Sequence, residues 1–587
     1  MVKATPGNPL IVQSDKTVLL EVDSPLYEAA RDALVRFAEL TTSPEYIHTY
    51  RITPLSLWNA AAAGLSASAI IDALQAYSKY PVPDNVRTDV IDYISRYGRL
   101  QLVTEGADLF LVSDDRALIT EITRHKHVKP HVLAQAGPLR LRVDSLRRGA
   151  IKQALIHIGY PAEDLAGYAQ GAPLDLSWRS PTRSGQAFAL RPYQQQAAAA
   201  FHAGGGPSGG SGVVVLPCGA GKTVVGMAAM AQLQCATLIL TSSTVATRQW
   251  IAELLDKTSL TDDDVGEYSG LRKQVRPVTV ATYQIMTHRP PRAVLGATVE
   301  SEFPHLALFN RQDWGLIIYD EVHLLPAPVF RITSEIQARR RLGLTATLVR
   351  EDGRETDVFS LIGPKKYDAP WRDLERQGWI ATAECHEVRT SLPGELRVPY
   401  AVADERDKYR VAAENPRKLA ILQQALSKHP DDSVLIIGMY LSQLDEVVAQ
   451  YGFPLITGRT SVGDRQELFA AFRRGEIKRL VVSKVGNFAI DLPDANVAIQ
   501  ISGTFGSRQE EAQRLGRILR PKQQGLLAHF YTLVTRDTRD QDYAAKRQLF
   551  LTEQGYHYDI IYEDEFEAWQ PRTHALHTRP AGPRLLV

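Results

Sequence analysis

Val213-Val214-Val215-Leu216-Pro217-Cys218-Gly219-Ala220-Gly221-Lys222-Thr223-Val224-Val225 is the stretch that decides the fold. A β-branched apolar run enters a glycine-bearing turn, and Gly-Lys-Thr opens an Ala- and Met-rich stretch of helical composition. This is the layout of a phosphate-binding loop. Gly219 and Gly221 let the backbone curl until its N–H groups converge on an oxyanion, so Cys218, Gly219, Ala220, Gly221 and Val224 are candidate phosphate contacts. Lys222 brings charge to the β- and γ-phosphates and Thr223 a hydroxyl for Mg²⁺, with the positive end of the helix dipole behind them. The longer consensus has a glycine where this chain has Leu216. A plain glycine turn between strand and helix would look similar, so the decision falls to the sequence downstream.

There the chain reads Gly315-Leu316-Ile317-Ile318-Tyr319-Asp320-Glu321-Val322-His323. An apolar strand ending in Asp-Glu places two carboxylates at the carboxyl edge of a parallel sheet, where a Mg²⁺–nucleotide would lie. Asp320 is the candidate metal holder and Glu321 the group that polarises the attacking water. His323 is placed to link this site to the next motif. Behind a phosphate loop, the acidic pair indicates an NTPase.

Further motifs follow in order. Leu190-Arg191-Pro192-Tyr193-Gln194 precedes the loop and resembles an adenine-reading motif. The Gln194 amide can donate to and accept from an adenine edge, and Arg191 stands beside it. Leu344-Thr345-Ala346-Thr347 follows the acidic strand and resembles the element that couples hydrolysis to domain closure, with Thr345 and Thr347 as its hydroxyls. Gln513-Arg514-Leu515-Gly516-Arg517-Ile518-Leu519-Arg520 resembles a Gln-Arg-x-Gly-Arg-x-x-Arg motif. On a helix, Arg517 and Arg520 share one face, as arginine fingers for a γ-phosphate require. Together these strings resemble superfamily-two nucleic-acid motors.

One branch is matched by longer strings: the chain resembles the XPB repair and transcription helicases, and among them bacterial members. Thr345-Ala346-Thr347-Leu348-Val349-Arg350-Glu351-Asp352 carries the branch's Arg-Glu-Asp triplet. Leu361-Ile362-Gly363-Pro364-Lys365 follows it, and Ser483-Lys484-Val485-Gly486 to Asp491-Leu492-Pro493 resembles motif V. Lys546 to Phe550 with Gln554-Gly555-Tyr556 is similar to the closing segment. Upstream, His48 to Thr53 and Tyr97 to Leu100 are similar to the N-terminal region, so the likeness runs from Pro9 to Tyr558. The resemblance implies an ATP- and Mg²⁺-dependent DNA helicase of 3′→5′ polarity working in DNA repair, nucleotide excision repair included. Its DNA would be single-stranded, forked or duplex, and its partner a repair nuclease or a transcription/repair protein. It adds Asp491 and Gln513 to the nucleotide contacts and gives Arg350, Glu351 and Asp352 a coupling role. Departures are Asn487 where motif V usually has aspartate, and Ile436 to Tyr440 without the usual strand-end aspartate.

Composition agrees. At 587 residues the chain should form about three to five domains. A net charge of +1 announces no uniformly basic surface; motors use a local groove instead. Arg124 to Lys152 holds eight Lys or Arg against Asp144 alone, which suits either phosphate contact or a solvated basic linker. Thr244, Arg248, Thr282 and Tyr283 follow strand ends, as strand contacts or, equally, as helix caps and surface residues. Three scattered cysteines suggest a reducing compartment and no iron–sulfur cluster. No apolar run approaches ~18 residues and no signal region follows Met1, so a cytoplasmic protein, nucleoid-associated when on DNA, is expected.

The predicted fold is α/β: two RecA-like parallel-sheet lobes forming a helicase core, preceded by mixed α/β N-terminal domains. Residues 1–125 form an interaction or regulatory module with an amphipathic helix from Leu55 to Leu74. Residues 126–182 are a small αβ domain, matching by position a damage-sensing domain, and run into a polar linker from Ser177 to Ala189. Residues 183–379 are the ATP-binding lobe. Residues 380–587 are the second lobe, with a reduced thumb near 398–416. Two other functions stay open: a duplex-DNA translocase or remodeller with little strand separation, and a nucleotide-gated scaffold with weak ATPase.

Overall fold

In the computed structural model the described residues are 5–42, 46–106, 108–206, 209–217, 219–289, 303–336, 339–346, 355–369, 371–381, 383–483, 495–503, 527–553, 556 and 558–571. Cys218, Thr347, Arg350, Glu351, Asp352, Asp491, Gln513, Arg517 and Arg520 lie outside them. The chain forms two compact units: the chain up to Pro217 and from Gly221 to Ala369 belongs to the first, and the second follows Ala369.

The first unit carries three sheets. Leu10–Val12, Thr17–Glu21, Ile47–Arg51 and Glu39–Thr42 make an antiparallel sheet in that spatial order. The single helix predicted over Leu55–Leu74 is two, Pro54–Ala62 and Ala67–Tyr77. Gly64 breaks them at φ 84, and Ser66 then caps the second through its hydroxyl. A five-stranded sheet follows, in the order Val132–Gly137, Arg140–Val143, Asp108–Val112, Leu100–Glu105, Ala162–Asp164. It buries Leu100, Leu102, Leu109, Leu111, Leu141 and Val143 in one core with Ile119 and Ile151. The boundary expected at 125/126 therefore cuts through a single hydrophobic core; turn-rich sequence at 124–131 only marks the end of a helix and a 3₁₀ turn.

The basic run is largely neutralised. Arg140 meets Glu105 at 2.7 Å and Arg147 lies 3.7 Å from Asp144. Arg148 and Lys152 share the buried Asp164, at 2.6 and 2.9 Å. Burial pulls the Lys152 ammonium down to about 8 despite that carboxylate. The expected linker is no free tether either: Arg183 N–H donates to Asp256 O and Ser184 N–H to the Asp256 carboxylate, both at 2.8 Å.

The third sheet is parallel and seven-stranded. Its order is Val265–Tyr268, Val278–Thr282, Thr237–Thr241, Leu316–Asp320, Arg340–Thr345, Ser211–Val215, Lys365–Asp368. Its central strands are apolar and β-branched because helices cover both faces. Val213, Leu238, Leu240, Ile317 and Tyr319 are all buried in the resulting core. The N-terminal sheets are bound to this lobe. Asn59 Oδ1 accepts from the Lys365 N–H at 3.0 Å, and Gln153 Nε2 donates to Asp357 at 2.9 Å.

The second unit repeats the parallel design. Its sheet runs Leu455–Ile456, Arg479–Ser483, Val434–Gly438, Val497–Gln500, Ala528–Thr535, Ala383–Thr390, Tyr558–Tyr562. The stretch expected as a reduced thumb is a pair of short helices, Gly394–Val402 and Glu405–Ala413. Among the described residues no single helix is long and apolar enough to cross a membrane.

Candidate nucleotide site

The phosphate loop is set by its neighbours. Gly219 and Gly221 have φ of 82 and 79, a region that costs an L side chain strain and costs glycine none. At Gly221 space is missing as well, since a Cβ there would meet Gln194 Nε2 at 2.6 Å. Lys222 begins the helix Lys222–Leu233, so its amide and that of Thr223 are at the positive end of the dipole. Gln194 Oε1 accepts from the Arg191 backbone N–H at 3.0 Å, and Arg191 Nη1 reaches the Tyr193 hydroxyl at 3.1 Å. The candidate adenine-reading pair thus braces the start of its own helix while the Gln194 amide nitrogen lies against the loop.

The acidic strand sits one strand away from the loop strand, with the Thr345 strand between them. Lys222 Nζ lies 2.9 Å from Glu321 Oε1. Glu321 itself has left-handed backbone, φ 49, which costs on the order of 1 kcal/mol for a residue with a Cβ. That bend turns its carboxylate away from the strand toward the lysine. Its second oxygen is buried without a hydrogen-bond partner, 3.5 Å from His323 Nδ1. His323 Nδ1 also lies 2.8 Å from Thr345 Oγ1. A continuous polar chain therefore joins loop, acidic strand and the following strand.

Asp320 is held differently. The Trp250 indole N–H donates to its Oδ2 at 2.8 Å, and the Glu321 N–H to Oδ1 at 3.1 Å. Burial, with the Glu321 charge beside it, pushes the Asp320 carboxyl up to about 6 against the pull of Trp250 and Lys222. Burial works in the same sense on Glu321, but Lys222 and His323 outweigh it and hold that carboxyl below the usual glutamate range. Two adjacent carboxylates thus differ in proton affinity because burial and the Glu321 charge prevail at Asp320, whereas Lys222 and His323 prevail at Glu321.

These groups fit Mg²⁺ and a nucleoside triphosphate. Carboxylate and hydroxyl oxygens are hard donors suited to Mg²⁺, and Glu321 keeps one buried oxygen without a hydrogen-bond partner on its His323 side while the other faces Lys222.

Two of the proposed strand contacts are placed elsewhere. Thr282 is buried and caps a short helix by accepting from the Ile285 N–H at 3.2 Å. Tyr283 is buried too, and its hydroxyl donates to the Asp320 carbonyl at 3.0 Å. Thr282 ends its strand and Tyr283 follows it, opening the short helix Tyr283–Met286. Arg248 is half-exposed, 3.9 Å from Glu267, and Thr244 opens the helix Thr244–Lys257. Trp250, on that helix, is a residue of the candidate site that the sequence did not single out, through its bond to Asp320. A lone tryptophan on an amphipathic helix carries no local mark of a polar partner seventy positions away.

A phosphate loop and an Asp-Glu strand on one parallel sheet, together with a second seven-stranded parallel sheet in the other unit, define a P-loop NTPase with a RecA-like helicase core. The ERCC3/RAD25/XPB C-terminal helicase family matches residues 374–583. The family described as type III restriction enzyme, res subunit, matches 187–350, and that described as helicase conserved C-terminal domain matches 10–136. The chain is 56% identical to the DNA 3′-5′ helicase XPB of Mycobacterium tuberculosis, covering 95% of this chain and 98% of the relative. It is 54% identical to the protein of the same name in Kineococcus radiotolerans, covering 96% and 98%. At 33% identity it also matches the general transcription and DNA repair factor IIH helicase/translocase subunit XPB of Enterocytozoon bieneusi, covering 94% and 92%. The chain belongs to the XPB helicase family.

Proposed function

We propose that this protein is an ATP-driven 3′→5′ DNA helicase acting in DNA repair. The observation that carries the reading is the buried chain Lys222–Glu321–His323–Thr345, which ties the phosphate loop to the acidic pair and to the strand leading into the Arg-Glu-Asp triplet. The relatives named DNA 3′-5′ helicase supply the substrate and polarity.

ATP is the substrate. Its phosphates are assigned to the loop amides and Lys222, with Arg191 and Gln194 toward the base. Asp320 and Thr223 are assigned to Mg²⁺, which when bound neutralises phosphate charge and orients the γ-phosphoryl group. Lys222 leaves Glu321 as it takes up phosphate, and the released carboxylate is then free to accept a proton from water. Glu321 thereby changes from a paired group to a base only when substrate is in place. His323 passes the change to Thr345. Arg517 and Arg520 are the candidate transition-state cations, and Asp491 and Gln513 further nucleotide contacts. Arg350, Glu351 and Asp352, with Thr347, are assigned to coupling, and Thr244 and Arg248 to phosphate contacts on a strand. The partner we assign is a repair nuclease or a transcription/repair protein, in keeping with the repair-factor name of the Enterocytozoon relative.

ATP turnover measured side by side with single-stranded DNA, duplex DNA and RNA tests the assignment. Stimulation by RNA alone, or by none of the three, overturns it. The short helical pair at Gly394–Val402 and Glu405–Ala413 favours a second reading, a duplex translocase with little strand separation. Triplex displacement without strand displacement on a forked duplex would select that reading.

A further inference from the structure

At the amino edge of the second lobe's sheet, away from the strand ends that lead into the helicase motifs, three side chains converge that the nucleotide site does not use. Glu384 pairs with His529 and His386 with Tyr531 in the register of the parallel strands Ala383–Thr390 and Ala528–Thr535. Side chains alternate along a strand, so Glu384, His386, His529 and Tyr531 all project from one face. That face is the one covered by the helix Arg417–Lys428 and by Phe566. His386 and His529 are buried and Glu384 half-buried. One ligand atom from each of Glu384, His386 and His529 lies within 4.8 Å of the others, the one such trio of metal-ligating side chains among the described residues.

We infer that Glu384, His386 and His529 form a divalent transition-metal site, with Zn²⁺ as its fitting ion. His386 Nε2 and His529 Nδ1 are 3.3 Å apart. Two imidazole nitrogens on a tetrahedral ion, each about 2.05 Å from it, stand about 3.3 Å from one another, so the pair already has the spacing of one tetrahedral edge. The third donor is a carboxylate, and two imidazoles with one carboxylate suit Zn²⁺ rather than Mg²⁺ or Ca²⁺. The far nitrogen of His386 faces a carboxylate: Nδ1 lies 3.4 Å from Asp559 Oδ2, on the neighbouring strand Tyr558–Tyr562. Histidines that ligate zinc are characteristically held this way, because the outer carboxylate fixes the ring and raises its basicity. Next to the trio, His429 bridges Asp432 at 2.9 Å and the Tyr531 hydroxyl at 2.8 Å. With its nitrogens so engaged it walls the site rather than entering it. Trp569 closes the other side, its ring 4.7 Å from that of His386. An ion here would fasten two neighbouring strands at the base of the lobe, beneath the segment that carries Trp569.

The experiment uses the full-length protein, stripped with a chelator and titrated with Zn²⁺ against a chromophoric competitor, then with Co²⁺. The expected result is one ion per chain that raises the melting temperature, with the strong visible absorption of tetrahedral Co²⁺. Glu384→Gln keeps the shape and removes the anionic donor, and should weaken zinc at least ~10-fold; Asp559→Asn should weaken it by roughly 10–100-fold. Both variants should retain wild-type ATP turnover, which shows that they fold. His529→Ala should lose the ion altogether. If that variant fails to fold, the Glu384→Gln titration and the Co²⁺ spectrum decide. The inference is overturned if the stripped protein takes up no stoichiometric Zn²⁺. It is equally overturned if Glu384→Gln binds like wild type, or if binding is lost instead in His127→Ala, whose ring lies 5.5 Å from that of His125 and 4.9 Å from that of His157 in the first unit. In each case the 3.3 Å contact is simply a hydrogen bond between two buried rings.

Discussion

Replacing Trp250 by phenylalanine should shift the acid side of the ATPase pH profile upward. The indole N–H is a charge-assisted donor to Asp320 at 2.8 Å, and phenylalanine keeps a ring but removes the donor. A hydrogen bond to a charged group contributes about 1.5–3 kcal/mol, which is about 1–2 pH units of proton affinity. Asp320 already titrates at about 6, raised by burial and by Glu321. Its ionised form is the one that can hold Mg²⁺, and that form is lost as pH falls through this value. In the wild type, turnover at limiting Mg²⁺ should therefore fall as pH drops through the region of 6. In Trp250→Phe the same fall should come about 1–2 units higher. Raising Mg²⁺ should draw the limb back toward acid, because metal and proton compete for one carboxylate.

The side chain has a second role. The helix Lys222–Leu233 has Gly226 against this indole, where a Cβ would stand 2.5 Å from Trp250 Cη2. The smaller ring leaves space there, so the variant should also lose about 1–3 kcal/mol of stability. The two effects separate cleanly: a packing defect lowers turnover at every pH, whereas the lost donor moves the midpoint. Turnover is measured from pH 5 to 9 at several Mg²⁺ concentrations, with unfolding curves on the same samples. An acid limb that stays in place, or moves toward lower pH, refutes the role given to the indole.

Lys222→Ala should reduce turnover by at least ~100-fold through loss of phosphate charge, and Glu321→Gln should do so while still binding ATP, which nucleotide-binding titrations will separate. In the nucleotide-free protein Lys222→Ala also strands the buried Glu321 charge at a cost of about 3–5 kcal/mol, and denaturant unfolding should show most of it regained in Lys222→Ala/Glu321→Gln. Thr345→Val keeps shape but cuts the 2.8 Å contact to His323, so strand displacement should fall more than ATP turnover; equal losses in the two assays would remove Thr345 from the coupling path. Asp164→Asn leaves Arg148 and Lys152 buried with no carboxylate, and thermal unfolding should register about 3–5 kcal/mol of destabilisation; an unchanged melting temperature would mean that water already solvates the two cations.

The nucleotide half of the protein was legible because its chemistry is local. Val213 to Val225 holds strand, turn, charge and helix start within one stretch, and a phosphate loop works chiefly through backbone amides, so spacing alone marks the candidate site. The two parallel-sheet lobes were legible for a related reason: strands buried on both faces, such as Thr237–Thr241 and Arg479–Ser483, have apolar centres. What the sequence could not show depends on pairing across long separations. The five-stranded sheet joins Leu100–Glu105 to Ala162–Asp164, and the carboxylates that neutralise Arg140 and Arg148 arrive from those strands. A stretch with eight cations and one acid left phosphate contact and a solvated linker equally open only while Glu105 and Asp164 were invisible to it. At Thr282 and Tyr283 the sequence left strand contact and helix cap equally open, because a capping hydroxyl and a buried phenol have no signature that separates them from exposed groups; Thr282 is a cap here.

The polar chain at the nucleotide site also suggests why hydrolysis can be withheld until substrate is in place. With Lys222 on Glu321, the proposed base is neutralised by the cation assigned to phosphate. On that assignment an anionic phosphate group competes for Lys222, so the event that positions the reacting phosphoryl group would also uncover the carboxylate proposed to activate water. Glu321 then keeps His323 as its nearest cation-capable neighbour, and His323 is shared with Thr345. A proton taken by Glu321 weakens its attraction for that imidazole and shifts the balance toward Thr345. The backbone bend at Glu321 makes this possible: in an extended conformation its side chain would follow the strand's alternation and point to the opposite face from Asp320. The strain at one residue is thus the condition for two adjacent carboxylates to serve one site with different tasks.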